Sequence, residues 1–371
     1  MSYSLRFDDL KSEADSLGFQ LVSCLSLKSS DEALSSQADY LANWQNAGYA
    51  AEMKYMKRPV SLFTDLRNFL PEIKSVLVFI VPYSDPKQSD PECKPGYGKV
   101  ARYARGKDYH IIIKEVGRLL GERIRELHQV QYRVFTDAVP LLERSMAVKS
   151  DLGFQGKSTM LIRPGLGTYT FIGELLLDRE ISGLPEGLTN KYGCGACSRC
   201  ITKCPTKAFV SPYVLDAKKC ISWLTIEKRD SHNEEESRAI GNWIFGCDVC
   251  QEVCPFNSHG KTVSTWKMFS EKEGVGPFIN LSDIINIRDD KEFRSRFFGT
   301  PILRAGREGM IRNALSVLAN QGLSSRWREV ISCFHEDKSS MVRSQARQTL
   351  NRFLSIETGV ALNSIRVAIA K

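Results

Sequence analysis

Residues 194–205 read CGACSRCITKCP, which sets Cys194, Cys197, Cys200 and Cys204 at the spacing C-x2-C-x2-C-x3-C ahead of Pro205. This is the run of bacterial two-cluster ferredoxins. Three thiolates at that spacing wrap three corners of one iron–sulfur cube, and the fourth, followed by proline, turns away to the other cube. Zinc sites usually present isolated C-x2-C pairs, so zinc is the weaker reading. The second half is Cys247-x2-Cys250-x3-Cys254-Pro255, with Cys220 upstream in the place of its first cysteine. Crossed ligation then assigns Cys194, Cys197, Cys200 and Cys254 to one 4Fe–4S cluster, and Cys204, Cys220, Cys247 and Cys250 to the other. Clusters that merely staple the fold are the bland alternative, but two placed side by side suit the passage of single electrons.

Outward from this stretch, the 371-residue chain has 42% hydrophobic and 25% charged residues, which excludes disorder and fibrous repeats and leaves room for two or three globular domains. No uncharged apolar run approaches the roughly 18–20 residues of a membrane span. Met1–Leu10, with Arg6, Asp8 and Asp9, lacks a basic-then-apolar signal pattern. The expectation is a cytoplasmic protein, whose reducing surroundings favour metal ligation over disulfides for its eleven cysteines. The net charge of +8 is uneven, because residues 301–371 hold 11 Lys+Arg against 5 Asp+Glu. A basic tail is either a solvated face or a surface for an anionic partner.

The apolar runs SVLVFIVP (75–82) and YRVFT (132–136) read as strands, and the helical pattern of Ile111–His128 lies between them. That rhythm predicts a layered α/β or α+β domain. An amphipathic opening segment, an apolar stretch Phe19–Leu27 and a helix-like run from Asp31 to Ala47, stopped by Gly48, precede it. Residues 83–110 read as one long functional loop. Gly165, Gly167 and Gly173 fail as a dinucleotide fingerprint, since Thr170 holds the sixth position. Beyond residue 300, stripes of Ile311, Leu315 and Leu318, of Trp327, Val330, Ile331 and Phe334, and of Val342, Ala346, Leu350 and Phe353 predict packed helices. Arg343 and Arg347 stand one turn apart on the flank of the last of these.

Together with the cysteine segments 194–229 and 245–257, the stretches RYARGKDYH (102–110), FTDAVPLLER (135–144) and GKSTMLI (156–162) resemble the epoxyqueuosine reductases. The resemblance implies an α+β protein with a cobalamin-binding domain over 1–185, a ferredoxin-like two-cluster domain over 186–262 and a HEAT-like, tRNA-binding helical module over 263–371. It implies base-off cobalamin and two 4Fe–4S clusters. The reaction would convert the epoxide of epoxyqueuosine at the tRNA wobble position to the alkene of queuosine with loss of water. The partners would be that tRNA and an external low-potential electron donor, with no membrane and a monomeric chain.

By the same resemblance Asp137 matches the general acid, and Arg58, Arg102, Tyr103, Asp137, Lys157, Ser158 and Thr225 would contact the cofactor. Arg312, Arg343 and Arg347 would meet nucleic acid. Read from the residues alone, Asp137 is rather a helix N-cap ahead of Pro140, and Tyr103, Tyr109 and His110 either pack near the cofactor or, equally, are buried aromatics with satisfied polar tips. Two positions depart from the family pattern: Lys207 follows CPT where glycine is common, which reads as a surface matter, and Ser158 stands where asparagine is usual. A corrinoid reductive dehalogenase is the rival enzyme reading, and an RNA-binding protein with structural clusters is the non-enzymatic one.

Overall fold

The computed structural model describes residues 4–19, 21–27, 34, 37–137, 139–184, 192–259, 265–322 and 327–369, the last segment from 356 onward as backbone alone. Two compact units interleave along the chain. One comprises 1–89, 106–218 and 248–273, and the other 90–105, 219–247 and 274–371. The expected domain boundaries at 185/186 and 262/263 fall outside the described residues, as does part of the helix-like run from Asp31, of which Ala38–Asn46 is helical.

The first unit is built from helix α1 (Phe7–Ser16), strands β1 (Leu21–Ser26) and β2 (Ser75–Pro82), helix α2 (Tyr109–His128), strand β3 (Tyr132–Phe135), helix α3 (Glu143–Lys149) and strand β4 (Thr170–Leu177). The four strands form an antiparallel sheet in the order β1-β2-β4-β3. β2 is apolar along its length because it is central and covered on both faces. One face carries Phe79, Gly173 and Val134 under α2. A Cβ on Gly173 would meet the Phe79 ring at 2.3 Å, and one on Gly121 of α2 would meet Tyr132 at 2.3 Å, so helix and sheet approach through glycine. The other face buries Val76, Val78, Ile80 and Leu176 with Met146 and Ala147 of α3.

In the second unit, strand Tyr97–Val100 lies between β5 (Trp243–Phe245), which is parallel to it, and β6 (Phe278–Asn280), which is antiparallel. The expected long loop 83–110 is therefore corrected. It contains this strand and a 3-10 turn at Arg102–Ala104, and α2 already starts at Tyr109. The segment YGKV has no strand signature of its own, because its pairing partners lie well over a hundred residues downstream. Helices α4 (Gly306–Gln321) and α5 (Ser340–Ile369) follow, and Ile311, Leu315, Leu318, Val342, Ala346 and Phe353 are buried as their stripes predict.

Two expected ligand contacts are corrected in this unit. α4 is buried all round from Gly309 to Ala319, and Arg312 at its centre is 0% exposed. Its guanidinium donates to the carbonyls of Leu224 (2.6 Å), Lys228 (2.6 Å) and Asp230 (3.0 Å) and to Asn313 Oδ1, so no phosphate can reach it. Thr225 is likewise fully buried. Its hydroxyl donates to the Ile221 carbonyl at 2.8 Å and accepts the Gly246 N–H at 3.0 Å, so it is spent on backbone inside the unit. Among the described residues, no helix is long and apolar enough to cross a membrane.

Candidate active site

β3 ends at Phe135, and the Thr136 hydroxyl donates to the Ile172 carbonyl of β4 at 2.8 Å, anchoring the chain where it leaves the sheet. Asp137 then turns into the left-handed region, with φ 45°, a conformation aspartate tolerates better than most residues. The N-cap reading of Asp137 is overturned, because the next helix starts only at Glu143. Instead its backbone N–H donates to Glu143 Oε1. Its exposed carboxylate accepts the Tyr109 hydroxyl and lies 3.7 Å from His110 Nε2.

Tyr109 and His110 open α2. Asp108 caps that helix by accepting the His110 N–H, and its Oδ1 also holds His110 Nδ1 at 2.7 Å. The Tyr109 ring stacks on Phe171 at 4.2 Å and on the His110 imidazole at 4.1 Å, fixing both polar tips toward Asp137. Surrounding protein opposes ionisation of Asp137, but the hydrogen bonds from His110 and Tyr109 prevail and hold it below the usual carboxylate range. For His110, desolvation pulls down while the bonds to Asp108 and Asp137 push up, and the imidazole reaches about 9. Glu143 is pushed up to about 8 by burial and then by the charge of Asp137. One carboxylate is thus flanked by two groups that each carry a proton at neutral pH.

The same unit holds Cys194, Cys197, Cys200, Cys204, Cys250 and Cys254; Cys220 and Cys247 belong to the second unit. Burial pushes the thiols of Cys200 and Cys254 up, and for both the charges of Cys194 and Cys197 add to this, so the four share one neighbourhood. Among the described residues no three ligating side chains converge as they would on a single ion. An iron–sulfur cube spreads its thiolates over separate irons, which is a different spacing. Backbone N–H groups point at the sulfurs: Lys157 donates to Cys194 Sγ at 3.4 Å, and Ala208 to Cys204 Sγ at 3.3 Å. Cys254 is the N-cap of a short helix opened by Pro255, and Asn257 of that helix holds the Thr168 N–H at 2.8 Å. A Cβ on Gly167 would sit 2.0 Å from the Asn257 amide oxygen, which explains the glycine that failed as a nucleotide fingerprint.

Residues 193–257 match the family model described as "4Fe-4S double cluster binding domain", and residues 64–138 match "Epoxyqueuosine reductase QueG, DUF1730". The chain is 36% identical over 308 residues to the epoxyqueuosine reductase of Leadbetterella byssophila, covering 82% of this chain and 96% of that one. With the enzyme of the same name from Pseudomonas aeruginosa it shares 34% over 346 residues, 91% of each chain. The chain belongs to the epoxyqueuosine reductase family. A solved epoxyqueuosine reductase bound to an epoxyqueuosine-modified stem loop of tyrosine tRNA superposes with a TM-score of 0.81 at 25% identity, over 93% of this chain and 89% of that one.

Within this epoxyqueuosine reductase fold, the expected cofactor contacts are divided between the two units. Arg58, Asp137, Lys157 and Ser158 lie in the first unit, and Arg102, Tyr103 and Thr225 in the second. Arg58 is exposed. The Lys157 ammonium donates to the carbonyls of Gly195 at 2.6 Å and Cys197 at 3.0 Å, so it braces the cysteine loop. Ser158 is buried, and Arg102 is buried against Asp90 at 3.2 Å. Arg343 donates to the carbonyls of Asp337 and Lys338, while Arg347 is exposed one turn further on. Sequence reading missed Glu143, although it lies inside the quoted motif at 135–144, and Glu174. The available signal for Glu174 was a single charge in the otherwise apolar strand TFIGELLL.

Proposed function

We propose that this chain reduces epoxyqueuosine to queuosine at the wobble position of tRNA, the last step of queuosine formation, with two 4Fe–4S clusters and base-off cobalamin. The observation that carries the reading is Asp137. An exposed carboxylate on the family's motif, oriented by Tyr109 and His110, stands in the same unit as six cluster-spaced thiols. The eight ferredoxin-spaced cysteines hold the clusters in the crossed assignment. The functional division follows as cofactor domain 1–185, two-cluster domain 186–262 and HEAT-like tRNA-binding module 263–371. The chain works as a cytoplasmic monomer fed by an external low-potential donor.

The residues at the site fit cobalamin held without a protein imidazole on cobalt. Both ring nitrogens of His110 face carboxylates, Asp108 at 2.7 Å and Asp137 at 3.7 Å, so this histidine is not offered as a ligand. Arg58 and the rim around Asp137, both in the first unit, would hold the cofactor. When bound, it would supply strongly reducing cobalt chemistry for the epoxide. Asp137 protonates the departing epoxide oxygen, while Tyr109 and His110 orient the carboxyl and His110 keeps a proton beside it.

The test is anaerobic incubation of cluster-loaded protein with cobalamin, a strong reductant and tRNA carrying epoxyqueuosine, followed by nucleoside mass analysis. Conversion to queuosine is expected. Asp137→Asn should retain fold and cobalamin but lose turnover by about 100-fold or more, because the amide keeps the shape and removes the proton. Absence of conversion with verified cofactor loading overturns the reading.

A further inference from the structure

β4 crosses the centre of the sheet with one charged residue, Glu174. It pairs with Val78 on one side and Phe135 on the other, on the face that buries Val76, Ile80, Leu176, Met146 and Ala147. The side chain is 0% exposed, and among the described residues neither carboxyl oxygen has a hydrogen-bond partner. A buried polar group without a partner is costly, and an ionised one far more so. Folded chains keep such groups where something other than stability requires them. The charged groups acting on it are Glu143 first and Asp137 second, and with burial they push its carboxyl well above the usual range. Glu174 is therefore a neutral acid. Arg144 and His110 complete the charges around Glu143 and Asp137.

The reduction proposed above, on which this inference rests, removes the epoxide oxygen as water. Two C–O bonds break, a carbon–carbon π bond and two O–H bonds form, and two electrons from the external donor and two protons are consumed. Asp137 rests ionised and delivers one proton at a time, so it must be charged before each of the two deliveries. Glu143 stands next to it, with Oε1 accepting the Asp137 N–H, and its other oxygen is left to carry a proton. Giving that proton to Asp137 leaves a half-buried carboxylate at Glu143.

We propose that Glu174 is a positioning residue for this reaction: its enclosed carboxyl, on the sheet face that α3 covers, donates a hydrogen bond to the Glu143 carboxylate formed when Glu143 charges Asp137. That the donor has no partner among the described residues fits an acceptor that forms only during turnover. Solvent then returns the proton to Glu143, and the cycle closes with no net change in any of the three carboxyls.

Replacement tests this in the full cofactor-loaded chain. Glu174→Leu removes the donor and should lower kcat about tenfold with KM for the tRNA unchanged. Because Glu143 is then a weaker acid, the alkaline limb of the kcat–pH profile should move to higher pH. Its melting temperature should not fall, since an unbonded polar group has been replaced by an apolar one. Glu174→Gln keeps an N–H donor in the same place and should restore kcat to within about threefold, with the limb where the unaltered protein has it. A Leu variant with unaltered kcat and pH limb overturns the proposal, as does a Gln variant as slow as Leu. Should the Leu variant fail to fold, infrared spectroscopy of the resting protein decides. A neutral carboxylic acid band at pH 8, lost in Glu174→Gln, is required, and its absence overturns the proposal. If the unaltered chain shows that band but converts no epoxyqueuosine, the reaction reading falls and this role with it, while the neutral acid stands.

Discussion

Lys207 follows Cys-Pro-Thr and adopts φ 51°, in the left-handed region. Lys207 is exposed, as a surface reading expects, but the departure from the family's glycine is a backbone matter as well. The turn is needed: the Lys207 N–H donates to the Cys204 carbonyl at 3.2 Å, which brings the next N–H, that of Ala208, to 3.3 Å from Cys204 Sγ. A lysine side chain there is strained by about 1–2 kcal/mol, of which a glycine would give back part through its freedom in the unfolded chain. Lys207→Gly should stabilise the cluster-loaded protein by about 0.5–1 kcal/mol. Denaturant midpoints measured anaerobically for both proteins check this, and a variant of equal or lower stability would show that the turn tolerates the side chain. Asp137, at φ 45°, occupies the same region for a different end, since the turn is what lifts its carboxylate out of the sheet toward Tyr109 and His110.

At the scale of elements, the two C-terminal helices use arginine in opposite ways. α4 is enclosed, so Arg312 serves as an internal clamp on the carbonyls of Leu224, Lys228 and Asp230. α5 has a solvated flank, where Arg347 is exposed and Arg343 is half-buried. Arg312→Ala should cost about 3–5 kcal/mol of stability, as expected for deleting a buried, fully bonded charge. The double change Arg343→Ala and Arg347→Ala should leave melting and cofactor content unchanged while weakening tRNA binding. Each lost phosphate contact should remove about 0.7–0.9 from the slope of log K against log salt. Titrations at several salt concentrations measure it, and an unchanged slope in the double variant would make the basic tail a solvated face only. The flank position of Arg343 and Arg347 was legible, but the clamp at Arg312 was not, because a helix states its apolar stripe in sequence but not whether its remaining faces meet solvent or protein.

For the molecule as a whole, the eight ferredoxin-spaced cysteines predict about eight irons per chain. Anaerobic iron and sulfide analysis measures this, and the Cys220→Ser variant should drop toward about four. Full iron in that variant would remove Cys220 from the ligand set. The cysteine spacing, the strands at 75–82 and 132–136, the helix up to His128 and the C-terminal stripes were all legible in the chain. Each is a local signal, carried by residues a few positions apart, and local geometry alone decides whether such a pattern suits a strand, a helix or a loop of thiolates. The strand at 97–100 was not legible, because its partners at 243–245 and 278–280 are supplied by distant chain. Nor was the environment of Asp137: a motif names the carboxylate, but its ionisation depends on Tyr109 and His110 from α2, and that of Glu143 on Asp137 itself. Glu174 is the clearest case. Its identity and its place in an apolar strand are written in the sequence, whereas its enclosure without a partner beside two other carboxyls arises only when β2, β3, β4 and α3 pack. Sequence by itself determined which chemistry the chain carries; burial and charge proximity, which are properties of packed distance, decided which of those groups hold a proton and which are free to meet a substrate.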